Sequence, residues 1–140
     1  MTTRIVTTQE ALDEALADDG VTQVIINSDP GIWLEIRGNS SVYAWGDSHV
    51  DARDNCHVYA RDNSRVDARD NSRVDARDSN IYAWGDSHVS ARGDSHVSAR
   101  ENSNIYARDN SSVDARDSSR VYARDNSRVY AGKDVTVHRP

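Results

Sequence analysis

Phenylalanine is absent from this chain, and proline occurs only as Pro30 and Pro140. Cysteine and methionine appear once each, no apolar run approaches the length of a membrane span, and no basic-then-apolar leader opens the chain. Each absence excludes something. With no Phe and only 36% hydrophobic residues, 140 residues cannot stock an ordinary globular core. One Cys excludes a disulfide framework. The missing span and leader point away from the membrane and make a cytoplasmic protein of one domain the expectation.

What is present is one eight-residue phrase, written twelve times between Gly38 and Gly132. It runs from Gly38-Asn-Ser-Ser-Val-Tyr-Ala-Trp45 through Gly46-Asp-Ser-His-Val-Asp-Ala-Arg53 to Asp125-Asn-Ser-Arg-Val-Tyr-Ala-Gly132. Position 1 is Asp, Gly or Glu, and position 2 is usually Asn or Asp. Positions 3, 5 and 7 are Ser, Val or Ile, and Ala with almost no exception; Cys56 replaces one Ser. Alternation with period two is a strand signature, because successive side chains leave opposite faces. Ser, Val and Ala therefore point inward, and the variable positions 4, 6 and 8 point out. Asp, Asn or Gly at the turn tolerates a left-handed backbone, and the lack of Pro within the repeat suits strands paired on both sides. A short period repeated this often is the mark of a solenoid, whose units bury their apolar side only by stacking. Cys56, in an inward slot, is expected to be a buried thiol, which suits a reducing compartment.

The outward positions suggest how many octads make one coil. Tyr59, Tyr82, Tyr106 and Tyr130 recur at position 6 of every third octad, and Asn80-Ile-Tyr-Ala83 returns as Asn104-Ile-Tyr-Ala107 three octads later. This spacing predicts three octads, about 24 residues, per coil and so a three-sided parallel β-helix. The sixth octad, Asp78 to Trp84, is one residue short and predicts a tighter corner. Residues 1–37 form an N-terminal cap, 38–132 the β-helix and 133–140 a terminal strand. Within the cap, Arg4-Ile-Val6 reads as a strand, and Thr7-x-x-Glu10 as a capping box opening a helix striped by Ala11, Leu12, Ala15 and Leu16. Val21 to Asn27 reads as a strand, Ser28 to Gly31 as a turn, and Ile32 to Arg37 as a strand with Ile32, Leu34 and Ile36 inward. At the other end Val135 and Val137 stay inward with no second helix to cover them. Blocking by Arg139 and Pro140, or burial against a second copy in a homodimer, is the expectation there.

The helix with Leu12 and Leu16, the Val24 to Ile26 strand and the coil period resemble the start of the right-handed parallel β-helix proteins of the pectate lyase type. That resemblance implies the architecture alone. Enzymes of the family carry catalytic groups on long loops, and here every repeat turn is two or three residues, so no catalytic residue is carried over. The octad rhythm with Val at a fixed place also resembles the intertwined trimeric needles of contractile phage tails, which would imply a virion component.

Among candidate sites, His49, His57, His88, His96 and His138 are too far apart in this scheme for a metal; His49 and His96 would sit roughly 9 to 10 Å apart. The Ser48-His49, Ser87-His88 and Ser95-His96 pairs face opposite sides of a strand and cannot act as nucleophile and base. No catalytic residue, metal or cofactor is expected. Arg53, Arg77, Arg100 and Arg124 are expected to stack in one column. Net charge is −6, but residues 38–132 hold fifteen acids against thirteen bases, too nearly balanced for a DNA mimic, and with no purely basic face expected, nucleic acid is disfavoured as a partner. One feature stands out: a face of Tyr59, Tyr82, Tyr106 and Tyr130 flanked by Arg61, Trp84 and Arg108. Such side chains dominate binding hot spots. The expected protein is a non-enzymatic binding or structural module offering this face to a protein or glycan.

Overall fold

In the computed structural model, which describes residues 2–18, 20, 23–27 and 32–139, each octad is one short strand entered through a left-handed corner. Position 1 of every octad has positive φ: 56° to 63° at the eight acidic corners, and 64° to 75° at Gly38, Gly46, Gly85 and Gly93. Asp and Gly are the residues that enter this region at least cost. At several corners the carboxylate also accepts a hydrogen bond from the backbone of the coil before it. Gly93 N–H donates to Asp109 at 3.1 Å, Asp109 N–H to Asp125 at 3.3 Å, and Glu101 N–H to Asp117 at 3.1 Å.

The strands lie in two parallel sheets, not three. Strand Ser41–Ala44 pairs with His57–Arg61, and His49–Ala52 with Arg65–Ala68, so one coil takes two octads, about 16 residues. Odd octads build a nine-stranded sheet with the chain ends, and even octads a seven-stranded one. The expected three-sided coil of 24 residues is thereby corrected, while the all-β parallel solenoid stands. The physical reason lies inside. Ser, Val and Ala are small, and two facing sheets need less filling than a triangular bore. The short octad keeps Asn80–Ala83 in register with Arg65–Ala68, and its missing residue is absorbed at the bend of Asp78, as expected.

Position 5 forms an unbroken apolar column in each sheet. Val42, Val58, Val74, Val89, Ile105 and Val121 line one; Leu34, Val50, Val66, Ile81, Val97 and Val113 line the other, all buried. Each such side chain contributes about 1.5 to 3 kcal/mol when fully covered. The inward serines from Ser48 onward are buried yet satisfied. Ser64 Oγ shares its proton between the Arg61 carbonyl at 2.8 Å and the Gly46 carbonyl of the preceding coil at 3.0 Å. Cys56 fills one of these slots, fully buried, with Sγ 3.6 Å from the Gly38 carbonyl, and burial raises its thiol pKa.

The N-terminal end is covered by β1 (Thr3–Val6), α1 (Gln9–Ala17), β2 (Gln23–Ile26) and β3 (Trp33–Ile36). The first two strands extend the nine-stranded sheet, and α1 stands where the seven-stranded sheet would need another strand. It buries Leu12 and Ala15, with Ala11 and Leu16 packed against the core. Its cap is Thr8, whose Oγ1 accepts from Ala11 N–H at 3.2 Å, one residue later than the expected box from Thr7. Gln9 closes the sheet edge: its Oε1 accepts from Glu35 N–H at 2.7 Å and its Nε2 donates to the Glu35 carbonyl at 3.0 Å. One side-chain amide thus replaces a rung of strand pairing. Leu34 and Ile36 are inward as expected, whereas Ile32, just before β3, is 43% exposed. The expected turn at 28–31 and the start of the strand at 21–22 lie outside the described residues.

At the other end the last strand, Thr136–His138, pairs with Arg120–Ala123. Val129 and Val135 are half-buried, while Ala131 and Val137 are exposed. Arg139 Nη2 donates to the Ser127 carbonyl at 2.8 Å, the expected partial block; Pro140 lies outside the described residues.

Candidate binding face

Two octads per coil redistribute the outward side chains. Tyr59 and Tyr106 lie on the nine-stranded sheet with Arg61 and Arg108; Tyr82, Tyr130 and Trp84 lie on the seven-stranded one. The expected single face of four tyrosines is therefore split between opposite sides. The expected Arg53, Arg77, Arg100 and Arg124 column is divided in the same way. What stacks is what recurs at 16 residues. Tyr43 lies on Tyr59 with ring centroids 4.7 Å apart, and Tyr106, Tyr122 and His138 form a second pile at 4.9 Å steps. The identical residues at this spacing, such as Tyr43 with Tyr59 and Tyr106 with Tyr122, were the signal for the true period.

On the seven-stranded sheet the outward arginines other than Arg128 are already engaged. Arg37 and Arg53 meet Glu35, Arg53 also meets Asp51 at 3.3 Å, and Arg116 meets Asp114. Arg65 lies 6.0 Å over the Tyr82 ring, and Arg69 and Arg100 lie 5.7 and 5.3 Å over Trp84. Within the acidic column, burial and neighbouring Asp51 push the Asp67 carboxyl up from its usual range. His49 packs edge-on against Trp33 at 4.7 Å, and burial with Arg65 beside it lowers its pKa. Arg128 apart, the arginines of this face are compensated from within it.

The nine-stranded sheet differs. Its repeat strands present Arg73 and Arg120 at position 4 and Arg61, Arg77, Arg92, Arg108 and Arg124 at position 8, all exposed. Their only outward acid is Asp75, which His57 Nε2 meets at 3.1 Å. Among the described residues no carboxylate oxygen lies within 4.0 Å of any of these seven arginines, and none lies over a ring. The acids at the adjoining corner, among them Asp78, Asp109 and Asp125, turn toward backbone N–H groups. Between the position-6 and position-8 columns runs a groove. It holds about 460 Å³ where Tyr106, Tyr122 and His138 face Arg108, Arg124 and Arg139, and about 320 Å³ around Arg77 and Arg92.

No protein-family model matches the chain, and no curated protein or solved structure is significantly similar to it. The assignment of a face therefore rests on geometry. Ser48, Ser87 and Ser95 are wholly buried and donate to carbonyls, with their neighbouring histidines on the other side of the strand. His49 and His96 share a column, but Arg65 and Asn80 stand between them, so they are three coils apart and not two. Among the described residues no group of three His, Cys, Asp or Glu is placed to hold a metal. No described helix is long and apolar enough to cross a membrane. Val135 packs partly on the core and Val137 is 37% exposed at the open end.

Proposed function

We propose that this protein is a non-enzymatic solenoid binding module and that its working surface is the outer face of the nine-stranded sheet, built from Tyr59, Tyr106, Arg61 and Arg108 with Tyr43, Tyr122, Arg77, Arg92 and Arg124. The observation that carries this is the contrast between the two sheets. The outward arginines of the seven-stranded sheet other than Arg128 are matched by acids or rings, whereas all seven on the repeat strands of the nine-stranded sheet are exposed and unmatched. A column of like charges about 4.8 Å apart repels itself; retaining it without internal partners supports an external one. Short turns and serines locked onto carbonyls support a role without catalysis.

Kinship with the right-handed pectate-lyase type has α1 and β2 in its favour, but two sheets per coil remove the period on which the likeness partly rested. A trimeric needle has the octad rhythm in its favour, and against it the closure of both sheets within one chain. Self-association through Val135 and Val137 is supported by the uncovered apolar groups of the last coil. A reducing compartment such as the cytoplasm is supported by the buried thiol of Cys56. The test is a photoreactive side chain placed at Tyr106 or at Tyr82 and activated in extract of the native cells. Macromolecular adducts at Tyr106 and none at Tyr82 are expected. Adducts at Tyr82 alone, or equally at both, would overturn the choice of face.

A further inference from the structure

Resting on that choice of face, we infer that its partner is a single-stranded nucleic acid, gripped in the gap between the two aromatic piles. The piles are interrupted by two short residues, so that the position-6 column reads Tyr43, Tyr59, Asp75, Ser90, Tyr106, Tyr122, His138. Tyr59 and Tyr106 are three coil steps apart, about 14 Å at a strand spacing near 4.8 Å. Tyr43 stacks on Tyr59 at 4.7 Å, and the His57 ring lies on it at 4.4 Å, tilted by only 24° and held by Asp75. The open length between the His57 ring and the Tyr106 ring is then about 10 Å. Bases in a stacked strand lie about 3.4 Å apart. Three such intervals fill the gap, so two bases complete a continuous pile from Tyr43 to His138.

The surroundings suit the backbone of the same strand. Arg77 and Arg92 line the gap at position 8, flanked along the axis by Arg61 and Arg108, and Arg73 and His88 line it at position 4. Guanidinium groups hold phosphate oxygens in a planar fork and are drawn to aromatic planes, which is the combination single-strand grooves use. The overall charge of −6 does not oppose this, because acids gather at the corners, at the N-terminal cap and on the other sheet. The near-balance of charge in residues 38–132 arises because eleven of the fifteen acids stand at corner positions 1 and 2. A duplex offers no unpaired base to enter a two-base gap, so single strands are selected.

The experiment is fluorescence anisotropy of a labelled ten-nucleotide oligothymidylate, titrated with the full chain at several salt concentrations, with heparin and a duplex of equal length as competitors. Arg92→Ser is expected to weaken binding and to reduce the magnitude of the log K against log salt slope by about 0.7. Tyr106→Leu removes the stacking plane while keeping an apolar side chain, and is expected to cost roughly five- to a hundredfold. Arg128→Ser, on the other sheet, is expected to leave binding unchanged, with circular dichroism checking the fold of each variant. If Arg92→Ser weakens binding, Tyr106→Leu does not, and heparin displaces the strand easily, the face stands but its occupant is an anionic polymer without bases. That result overturns the nucleic-acid inference and spares the proposed face. Absence of binding to any of the polyanions also overturns the inference, and adducts at Tyr106 would still report whether the face binds something else.

Discussion

Gly85 and Gly38 occupy the same position of the octad and the same left-handed conformation, with φ of 70° and 75°, but not the same space. A Cβ added at Gly38 meets nothing within 4 Å. At Gly85 it would stand 3.1 Å from Asp70 N, 3.2 Å from Asp70 O and 3.3 Å from Asp70 Cα, all backbone atoms of the preceding coil. The chain between them includes the short octad, so this step spans fifteen residues where its neighbours span sixteen. For Gly38→Ala, the left-handed penalty of about 1 to 2 kcal/mol is partly offset by about 0.4 to 1 kcal/mol from the stiffer unfolded chain, leaving about 0 to 1.6 kcal/mol. Gly85→Ala bears the same terms and must also displace backbone that cannot rotate away, which adds about 1 to 3 kcal/mol. Urea unfolding followed by circular dichroism should place Gly85→Ala at about 1 to 4.6 kcal/mol of destabilisation, at least about 1 more than Gly38→Ala. Equal losses at the two sites would refute the view that the corner after the short octad is closed by contact between coils. Eight other corners do carry a Cβ, but Asp or Glu is the residue there. Where its carboxylate is bonded to a neighbouring N–H, Asp gains what Ala cannot supply.

The sheet-edge role of Gln9 is tested by Gln9→Glu, which can still accept from Glu35 N–H but cannot donate to the Glu35 carbonyl. A loss of about 1 to 2 kcal/mol is expected, and an unchanged urea midpoint would remove Gln9 from the cap. For Asp67 the raised pKa means that the native state holds the proton more tightly than the unfolded chain, so ionisation at neutral pH works against folding. Asp67→Asn is expected to raise the urea midpoint at pH 7, and its advantage should shrink as pH falls through the raised pKa toward the unfolded value. Asp67 and His49 shift each other's pKa, so parent and variant both carry His49→Gln, which removes the loss of stability that the lowered His49 pKa brings as pH falls from about 6.5. An advantage that is constant with pH would mean that Asp67 is not the group responsible.

Much of the fold was legible because the inward positions are under a strict rule. Ser, Val and Ala at 3, 5 and 7 must stack on their like in every coil, so strand, inward face and left-handed corner could all be read from one octad. The cap helix was legible for the same reason, through Leu12 and Ala15 on one stripe. The number of octads per coil was not, since it was sought in the outward tyrosines. Tyr59, Tyr82, Tyr106 and Tyr130 recur every third octad, yet nothing in the packing requires an outward residue to repeat from coil to coil. Asp75 and Ser90 interrupt the tyrosines of one sheet without disturbing Val74 and Val89 beneath them.

That freedom also explains why the candidate site was only partly visible. Because the core makes no demand on positions 4, 6 and 8, their content does not follow from the packing. A coil of three octads mixes the two sheets, and counting the corner acids together with the outward positions conceals the arginine excess. A coil of two octads separates Glu35, Asp51, Asp67 and Asp114 on one side from an arginine-rich side whose repeat strands carry only Asp75. Since both sheets have the same inward residues, stability supplies no reason for their outer faces to differ. On the function proposed above, the difference follows from unlike surroundings of the two faces, and the face whose repeat-strand arginines are left unmatched is the one assigned to binding.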